Sequence, residues 1–307
     1  MKIHNGFDSF KKLSKAVVTT GTFDGVHRGH RKILNSLINI GKLTNSETVL
    51  VTFLPHPRIV LFPDQELKLI NTMDENIALF QAYDIDHIIF QSFDKDFSRI
   101  TSLEYIRDIL LQKIGLKDLV IGFNHHFGRN REGSLLNLQE YADLYEFNIH
   151  EIDPYNLDNI SISSTKIRNA IKSGNIGLVN NYLGYVFHVS GLVVKGKGVG
   201  RNIGFPTANI DINDKNKILP REGVYAVNIL YNEYQYRGML NIGRNPTFDN
   251  NKLSIEVNIF EFNKSIYGEL ITIKFISRIR NEKKFKSIDD LKYQLSIDKI
   301  ASLNILD

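Results

Sequence analysis

Residues 16–30 read AVVTTGTFDGVHRGH, and the first half of the chain is organised around them. Ala16 to Thr20 is a small and β-branched run of strand length. Gly21 and Gly25 then allow a tight turn, and a helix is expected from about residue 28, with His27, Gly29 and His30 at its start. The first N–H groups of a helix lack intrahelical partners and the dipole is positive at that end, so an anion is favoured there. Two imidazoles three residues apart lie on one helical face and can both donate to phosphate oxygens. The same pair could instead be metal ligands or unrelated surface histidines; a metal site usually takes three protein ligands, and no obvious third accompanies them.

Outward from this stretch the pattern repeats. Apolar runs at 48–53, 87–90 and 119–122 read as strands, and amphipathic stretches near 28–40, 74–83, 101–114 and 135–146 read as helices. Strands spaced by helices imply βαβ units, hence an α/β domain with a parallel sheet. In such sheets ligands bind beyond the carboxyl ends of the strands. After Tyr182 the texture changes. Alternating or apolar runs at 186–194, 223–230, 236–242, 253–260 and 270–276 follow one another closely between turn residues, and only 287–302 looks helical. This is the signature of an antiparallel barrel or sandwich. The boundary is expected near Leu183-Gly184, giving domains 1–183 and 184–307.

Composition bounds the rest. A chain of 307 residues with 42% apolar and 23% charged residues is long enough for two folded domains. It has no cysteine, which excludes disulfides, thiolate zinc sites and cysteine nucleophiles and fits a reducing, cytoplasmic location. No run approaches the ~18 apolar residues of a membrane span, so a soluble protein without a membrane partner is expected. A net charge of +4 is too mild and too scattered for a nucleic-acid surface but compatible with small anionic ligands. Nothing in the sequence sets an oligomeric state.

The second half carries a different phosphate-binding pattern. Residues 193–210 read VVKGKGVGRNIGFPTANI, with neither GxGxxG spacing nor a Walker lysine. Gly196, Gly198, Gly200 and Gly204, with Lys195, Lys197 and Arg201, suit a loop closing over phosphates; glycines alone would equally make a flexible surface hairpin. Glu256, in LSIEVNIFEF (253–262), alternates with Ile255 and Val257, so periodicity alone makes it an outward-facing strand residue. Ser163, Ser164 and Thr165 precede another helical stretch, where a simple N-cap is the plain reading.

Taken together, these strings resemble a known family. GTFDGVHRGH (21–30) looks like the HxGH signature of the nucleotidyltransferase superfamily, and ISSTKIR (162–168) stands where that superfamily has its second, serine-rich signature. TFLPHPR (52–58), VIGFNHHFGRNREG (120–133), GFPTAN (204–209), the strand with Glu256, GVYAV (223–227), NIGRNPTF (241–248) and RNEKKF (280–285) resemble motifs of prokaryotic bifunctional riboflavin kinase/FMN adenylyltransferases, also called FAD synthetases, in family order. The resemblance implies a Rossmann-like nucleotidyltransferase domain followed by an antiparallel β-barrel with a C-terminal helix. It implies riboflavin, FMN and ATP as small-molecule substrates, FAD as product, and Mg²⁺ with the nucleotide.

The resemblance also distributes roles. In the first domain Gly21, Phe23, Gly29, Ser164 and Thr165 would hold ATP, while His27, His30 and Arg168 would stabilise adenylyl transfer. His56, Pro57, Asn124 and Phe127 would shape the flavin side; Asn124 stands where the family commonly has Asp, and His126 where an Arg or aromatic residue is more usual. In the second domain Thr207 and Asn209 would hold Mg²⁺, Gly198, Gly200 and Arg201 would cover the phosphates, Glu256 would be the general base, and Arg280 would reach the isoalloxazine ring. The rival readings are a nucleotidyltransferase with another acceptor and a flavin sensor without turnover.

Overall fold

The structure is a computed structural model and describes residues 1–123, 126–157, 160–196, 198–244 and 253–307. By contacts it divides into two compact units, Met1–Lys68 with Thr72–Ser163, and Leu69–Asn71 with Ser164–Asp307.

The first unit is a six-stranded sheet of β1 (Lys2–Asn5), β2 (Ala16–Thr20), β3 (Glu47–Leu54), β4 (His87–Ser92), β5 (Leu116–Gly122) and β6 (Asn148–Ile152). The spatial order is β1-β4-β3-β2-β5-β6 and every pairing is parallel. Connecting helices are α1 (Arg28–Thr44), α2 (Pro57–Leu61), α3 (Met73–Phe80), α4 (Ser102–Glu104), running on as a wide-turn helix over Tyr105–Ile114, and α5 (Leu135–Tyr145). Two short strands, β7 (Asn156–Leu157) and β8 (Ile160–Ser161), pair with each other.

Every residue of β2 is buried because both faces of the sheet are covered. Successive side chains alternate: Val17 joins Leu34, Leu37 and Leu50 on one face, and Val18 joins Val49, Ile89 and Leu110 on the other. From β2 the chain moves outward through β3 and β4, then crosses back to place β5 on the other side of β2. The order therefore reverses between β2 and β5, and the carboxyl ends of those strands form the crevice where open α/β sheets bind ligands. The expected strands and helices are present, and β1 and β6 are added at the two edges.

The second unit holds α6 (Ser164–Ser173) and α7 (Ile176–Leu183). These are followed by β9 (His188–Val194), the one-turn α8 (Val199–Asn202), β10 (Ala208–Asp211), β11 (Gly223–Tyr231), β12 (Tyr234–Arg244), β13 (Leu253–Ile259), β14 (Leu270–Arg280) and the C-terminal α9 (Ile288–Leu306). The six strands form a closed antiparallel barrel in the order β10-β13-β12-β11-β14-β9, so the barrel alternative holds over the sandwich. Inward residues such as Val227, Ile229, Leu240, Val257 and Ile273 are fully buried. The two helices are stitched to the barrel: Asn180 donates to Phe275 O and accepts from Phe187 N–H, and Arg221 N–H donates to Ile171 O. Gly174 closes α6 at φ 79°, where a Cβ would meet Arg278 Cδ at 2.7 Å.

Three residues from the first half also belong to this unit. Leu69 pairs with Lys217 in a parallel bridge, Lys217 Nζ donates to Ile70 O at 2.7 Å over the Phe187 ring, and Asn71 donates to the Tyr185 hydroxyl. Ile70 is completely buried. Ile70→Ala should therefore cost about 2–5 kcal/mol. Hydrogen exchange should report the loss in barrel peptides around 189–193 and 271–275 while the parallel sheet keeps its protection; deprotection of the sheet instead would contradict this assignment.

Candidate active sites

The first candidate site grows out of β2. Thr20 Oγ1 shares a 2.7 Å hydrogen bond with the Tyr105 hydroxyl, whose pKa burial pushes up, and Gly21 N–H donates to Val51 O. The turn that follows is left-handed at Phe23 (φ 46°), Gly25 (φ 84°) and Val26 (φ 36°). Val26 is a β-branched residue in a region such side chains avoid, and Phe23 and Val26 are both buried, so packing holds the strained turn in place.

The turn delivers His27 as the N-cap of α1. Its Nδ1 accepts from His30 N–H at 3.3 Å. The two rings stack at 3.6 Å between centroids and 16° between planes, and Phe23 lies 5.1 Å from His30. Gly29 leaves the room this needs, since a Cβ there would lie 3.2 Å from the His27 ring. Burial, and then His27, lower the His30 pKa well below the ordinary 6.5, and its Nδ1 is buried without a hydrogen-bond partner. Gly21, Phe23, His27, Gly29 and His30 are thus brought together at the carboxyl end of β2, around the N-terminus of α1.

Neighbouring strands add to this edge. Beyond β3, His56 caps α2 by accepting from Arg58 N–H at 3.1 Å, and Pro57 occupies the first helical position. Beyond β5, Phe123 is 60% exposed, an open aromatic face at the strand-order reversal that the sequence reading did not separate from its loop. Phe127 is buried in the apolar cluster on one face of the sheet, 6.0 Å from the Tyr105 ring. Asn124 lies outside the described residues. Ser164, Thr165 and a buried Arg168 stand on the first turns of α6, in the second unit.

The second candidate site is a row across the barrel. Asn209 on β10 pairs directly with Glu256 on β13, which pairs directly with Asn241 on β12. Directly opposed residues share a face, and the buried flanking residues Ile255, Val257, Leu240 and Ile242 put that face outward. Asn241 opens the NIGRNPTF stretch in the sequence, and the register is what sets it beside Glu256.

The glycine segment folds onto this row. A Cβ on Gly196 would lie 1.9 Å from Asn209 Nδ2, and one on Gly200 would lie 2.3 Å from Phe205 O and 3.2 Å from Thr207 Oγ1. Gly198 (φ 71°) and Gly204 (φ 85°) take conformations that favour glycine. Phe205 N–H closes the loop on Gly200 O, and buried Asn258 donates to Pro206 O at 2.6 Å. The segment is therefore packed on Thr207 and Asn209 and is not a free hairpin.

Beside the row, at the rim, is a cleft of ≈ 550 Å³ whose walls include Lys172, Arg221, Glu222, Leu253 and Glu282. Lys172 is on α6, the helix that begins with Ser164 and Thr165. Desolvation, and then Glu222, push the Glu282 carboxyl above its ordinary value. Arg280, expected at the flavin ring, has its guanidinium engaged by Asp298 of α9.

A capped helix N-terminus at the reversal of a parallel sheet, followed by a barrel whose glycine segment packs beside a strand carboxylate, is an arrangement suited to a two-site nucleotide-dependent transferase. A profile of the family described as FAD synthetase matches residues 9–166, and one described as riboflavin kinase matches residues 183–306. The chain is 39% identical over 303 residues to a bifunctional riboflavin kinase/FMN adenylyltransferase of Buchnera aphidicola, with 97% of this chain and 96% of the relative covered. It is 33% identical to the protein of that description from Escherichia coli, over 98% and 97% of the two chains. A Streptococcus pneumoniae crystal structure described as a macrolide-efflux protein superposes with a TM-score of 0.90 at 31% identity, covering 98% of this chain and 99% of that one. The chain belongs to the family of bifunctional riboflavin kinase/FMN adenylyltransferases. Among the described residues no helix is long and apolar enough to cross a membrane.

The state of His30 has a measurable consequence. Unfolded, an imidazole titrates near 6.5; folded, His30 stays neutral well below that. As pH falls the unfolded chain takes the proton first, so the stability due to this site is complete above pH 6.5 and erodes below it. Urea unfolding of the ligand-free protein should show a loss between roughly pH 7.5 and 5.5 that His30→Gln reduces. An equal loss in the variant would contradict the assignment.

Proposed function

We propose that the chain phosphorylates riboflavin to FMN in its barrel and adenylylates FMN to FAD at the sheet edge, consuming one ATP at each site. The observation that carries this reading is the direct pairing of Asn209 with Glu256 beneath the glycine segment, in a chain that also holds the His27–His30 anion-binding turn.

In the barrel, Glu256 takes the proton of the riboflavin 5′-hydroxyl as its oxygen attacks the γ-phosphorus, and ADP leaves. The Thr207 hydroxyl and the Asn209 side-chain oxygen are neutral hard-oxygen donors, which suit a Mg²⁺ that takes most of its other ligands from phosphate and water. When bound, the ion neutralises charge on the transferring phosphoryl group. Gly198, Gly200 and Arg201 cover the phosphates with backbone N–H groups and a guanidinium.

At the sheet edge the FMN phosphate attacks the α-phosphorus of the second ATP, and pyrophosphate leaves. His27, His30 and the positive dipole end of α1 face the charge that builds there, with Gly21, Phe23 and Gly29 shaping their seat. A neutral imidazole retains one N–H for this purpose. Motif order supports giving Ser164, Thr165 and Arg168 to the same reaction and a functional boundary near Leu183-Gly184, although α6 and α7 pack with the barrel. His56, Pro57, Asn124 and Phe127 shape the flavin side, and the exposed Phe123 ring offers a stacking face. The chain is placed in the cytoplasm, a location its lack of cysteine fits, with small molecules as its partners.

Incubation with riboflavin and MgATP, read by HPLC, tests the reading. The wild-type chain should form FMN and then FAD. His30→Ala should lower FAD formation by about 10²-fold while FMN accumulates. Glu256→Ala should lower riboflavin phosphorylation by about 10²–10⁴-fold and still convert supplied FMN to FAD. Loss of both activities from either change in a folded variant would contradict two independent centres.

A further inference from the structure

The row that holds the candidate base continues to the end of the barrel: Asn209, Glu256 and Asn241 are followed by Val224 on β11 and Arg280 at the end of β14. Arg280 is the last residue before residues 281–286, which lead into α9. Its guanidinium makes a two-pronged contact with Asp298 of α9, Nε to Oδ1 at 2.8 Å and Nη2 to Oδ2 at 2.6 Å. The Asp298 side chain is 1% exposed, and Gln294 donates to its Oδ1 at 3.0 Å. The remaining guanidinium nitrogen, Nη1, donates to Asn281 O at 2.9 Å, and the Phe285 ring centroid lies 5.9 Å from Arg280 Cζ. One buried carboxylate thus fixes one guanidinium, which holds both ends of the loop 281–285.

That loop carries Glu282 back to the row. The Glu282 carboxylate accepts from the Arg244 backbone N–H. A Cβ on Gly243 would fall 2.0 Å from Glu282 Oε1 and 3.1 Å from Asn241 Nδ2. Glu282 and the Asn241 amide therefore share the space above Gly243, and Asn241 is the direct cross-strand partner of Glu256. Glu282 also lines the ≈ 550 Å³ cleft. The links run from Asp298 through Arg280 and Asn281 to Glu282, and from Glu282 to the strand end beside Glu256.

We infer that Asp298 is a positioning residue for the kinase reaction: it orients Arg280 so that loop 281–285 seats Glu282 beside Asn241 and forms one wall of the flavin-binding cleft. This rests on the barrel being the riboflavin-phosphorylating half. It moves Arg280 from a direct contact with the flavin ring to support of the loop that makes the contact. Asn at position 298 keeps the volume and removes the charge that the guanidinium requires.

The test uses the full chain. Asp298→Asn should raise KM for riboflavin roughly tenfold with kcat changed less than about twofold, because positioning of substrate is lost and the base is kept. Adenylylation of supplied FMN should be unchanged. Glu282→Gln, in the exposed loop and so independent of the burial of Asp298, should reproduce the rise in KM, and it decides the matter if Asp298→Asn does not fold. Unchanged KM in Glu282→Gln, or a fall of both activities together in Asp298→Asn, would overturn the inference. A wild-type chain that forms no FMN would overturn the kinase reading and the inference with it, whereas active wild type beside variants with unchanged KM overturns the inference alone.

Discussion

A four-residue strand, β10, sets the geometry of the second half. By pairing with β9 on one side and β13 on the other it closes the barrel, leaving no sheet edge to be protected. The same register sets Asn209 against Glu256, and Asn241 follows on the next strand. A slip of one residue would send Asn209 into the core and Ile210 outward, so the apolar content of β10 fixes the polar row as firmly as it fixes the fold. The glycine segment then has one place to lie. Its close approach to Asn209 and Thr207 is what demands Gly196 and Gly200.

The first half solves a different problem with a similar device. It fixes a pair of imidazoles at a helix N-terminus by local strain. Strain at Phe23 and Val26 is held by their burial, and it presents His27 as a cap whose ring stacks on His30. Burial keeps His30 neutral, so the site avoids the desolvation cost of an imidazolium while retaining N–H groups and the helix dipole. One half thus gathers stacked imidazoles at a helix N-terminus, and the other a row of amides beside one carboxylate.

Much of this was legible in the sequence because the informative segments are internal. β2 is buried on both faces and reads as an unbroken small and β-branched run, and the glycines after it signal a tight turn into a helix. The edge strands β1 and β6 were not legible: KIHN and NIHEI are short and half polar, as befits edges. β10 was hidden inside a motif read as a loop. The pairing of Asn241 with Glu256 and the bond from Asn258 to Pro206 O depend on register, which local periodicity does not encode. Asp298 reads as one acidic residue among several on a surface helix, and only the packing of α9 against β14 reveals it as the partner of Arg280. The membership of α6 and α7 in the barrel unit was equally invisible, because a contact such as Asn180 with Phe275 O spans 95 residues.

The central claim is that two centres in one chain open ATP at different phosphorus atoms, and isotope transfer reads this directly. FAD is made from unlabelled riboflavin in two parallel reactions, one with [α-³²P]ATP and one with [γ-³²P]ATP of equal specific activity, and splitting its pyrophosphate then separates the flavin-side phosphorus from the adenosine-side phosphorus. On this account the γ-labelled reaction should place label only on the flavin side and the α-labelled reaction only on the adenosine side, in equal amounts. Label from one position alone, or γ-phosphorus on the adenosine side, would contradict it.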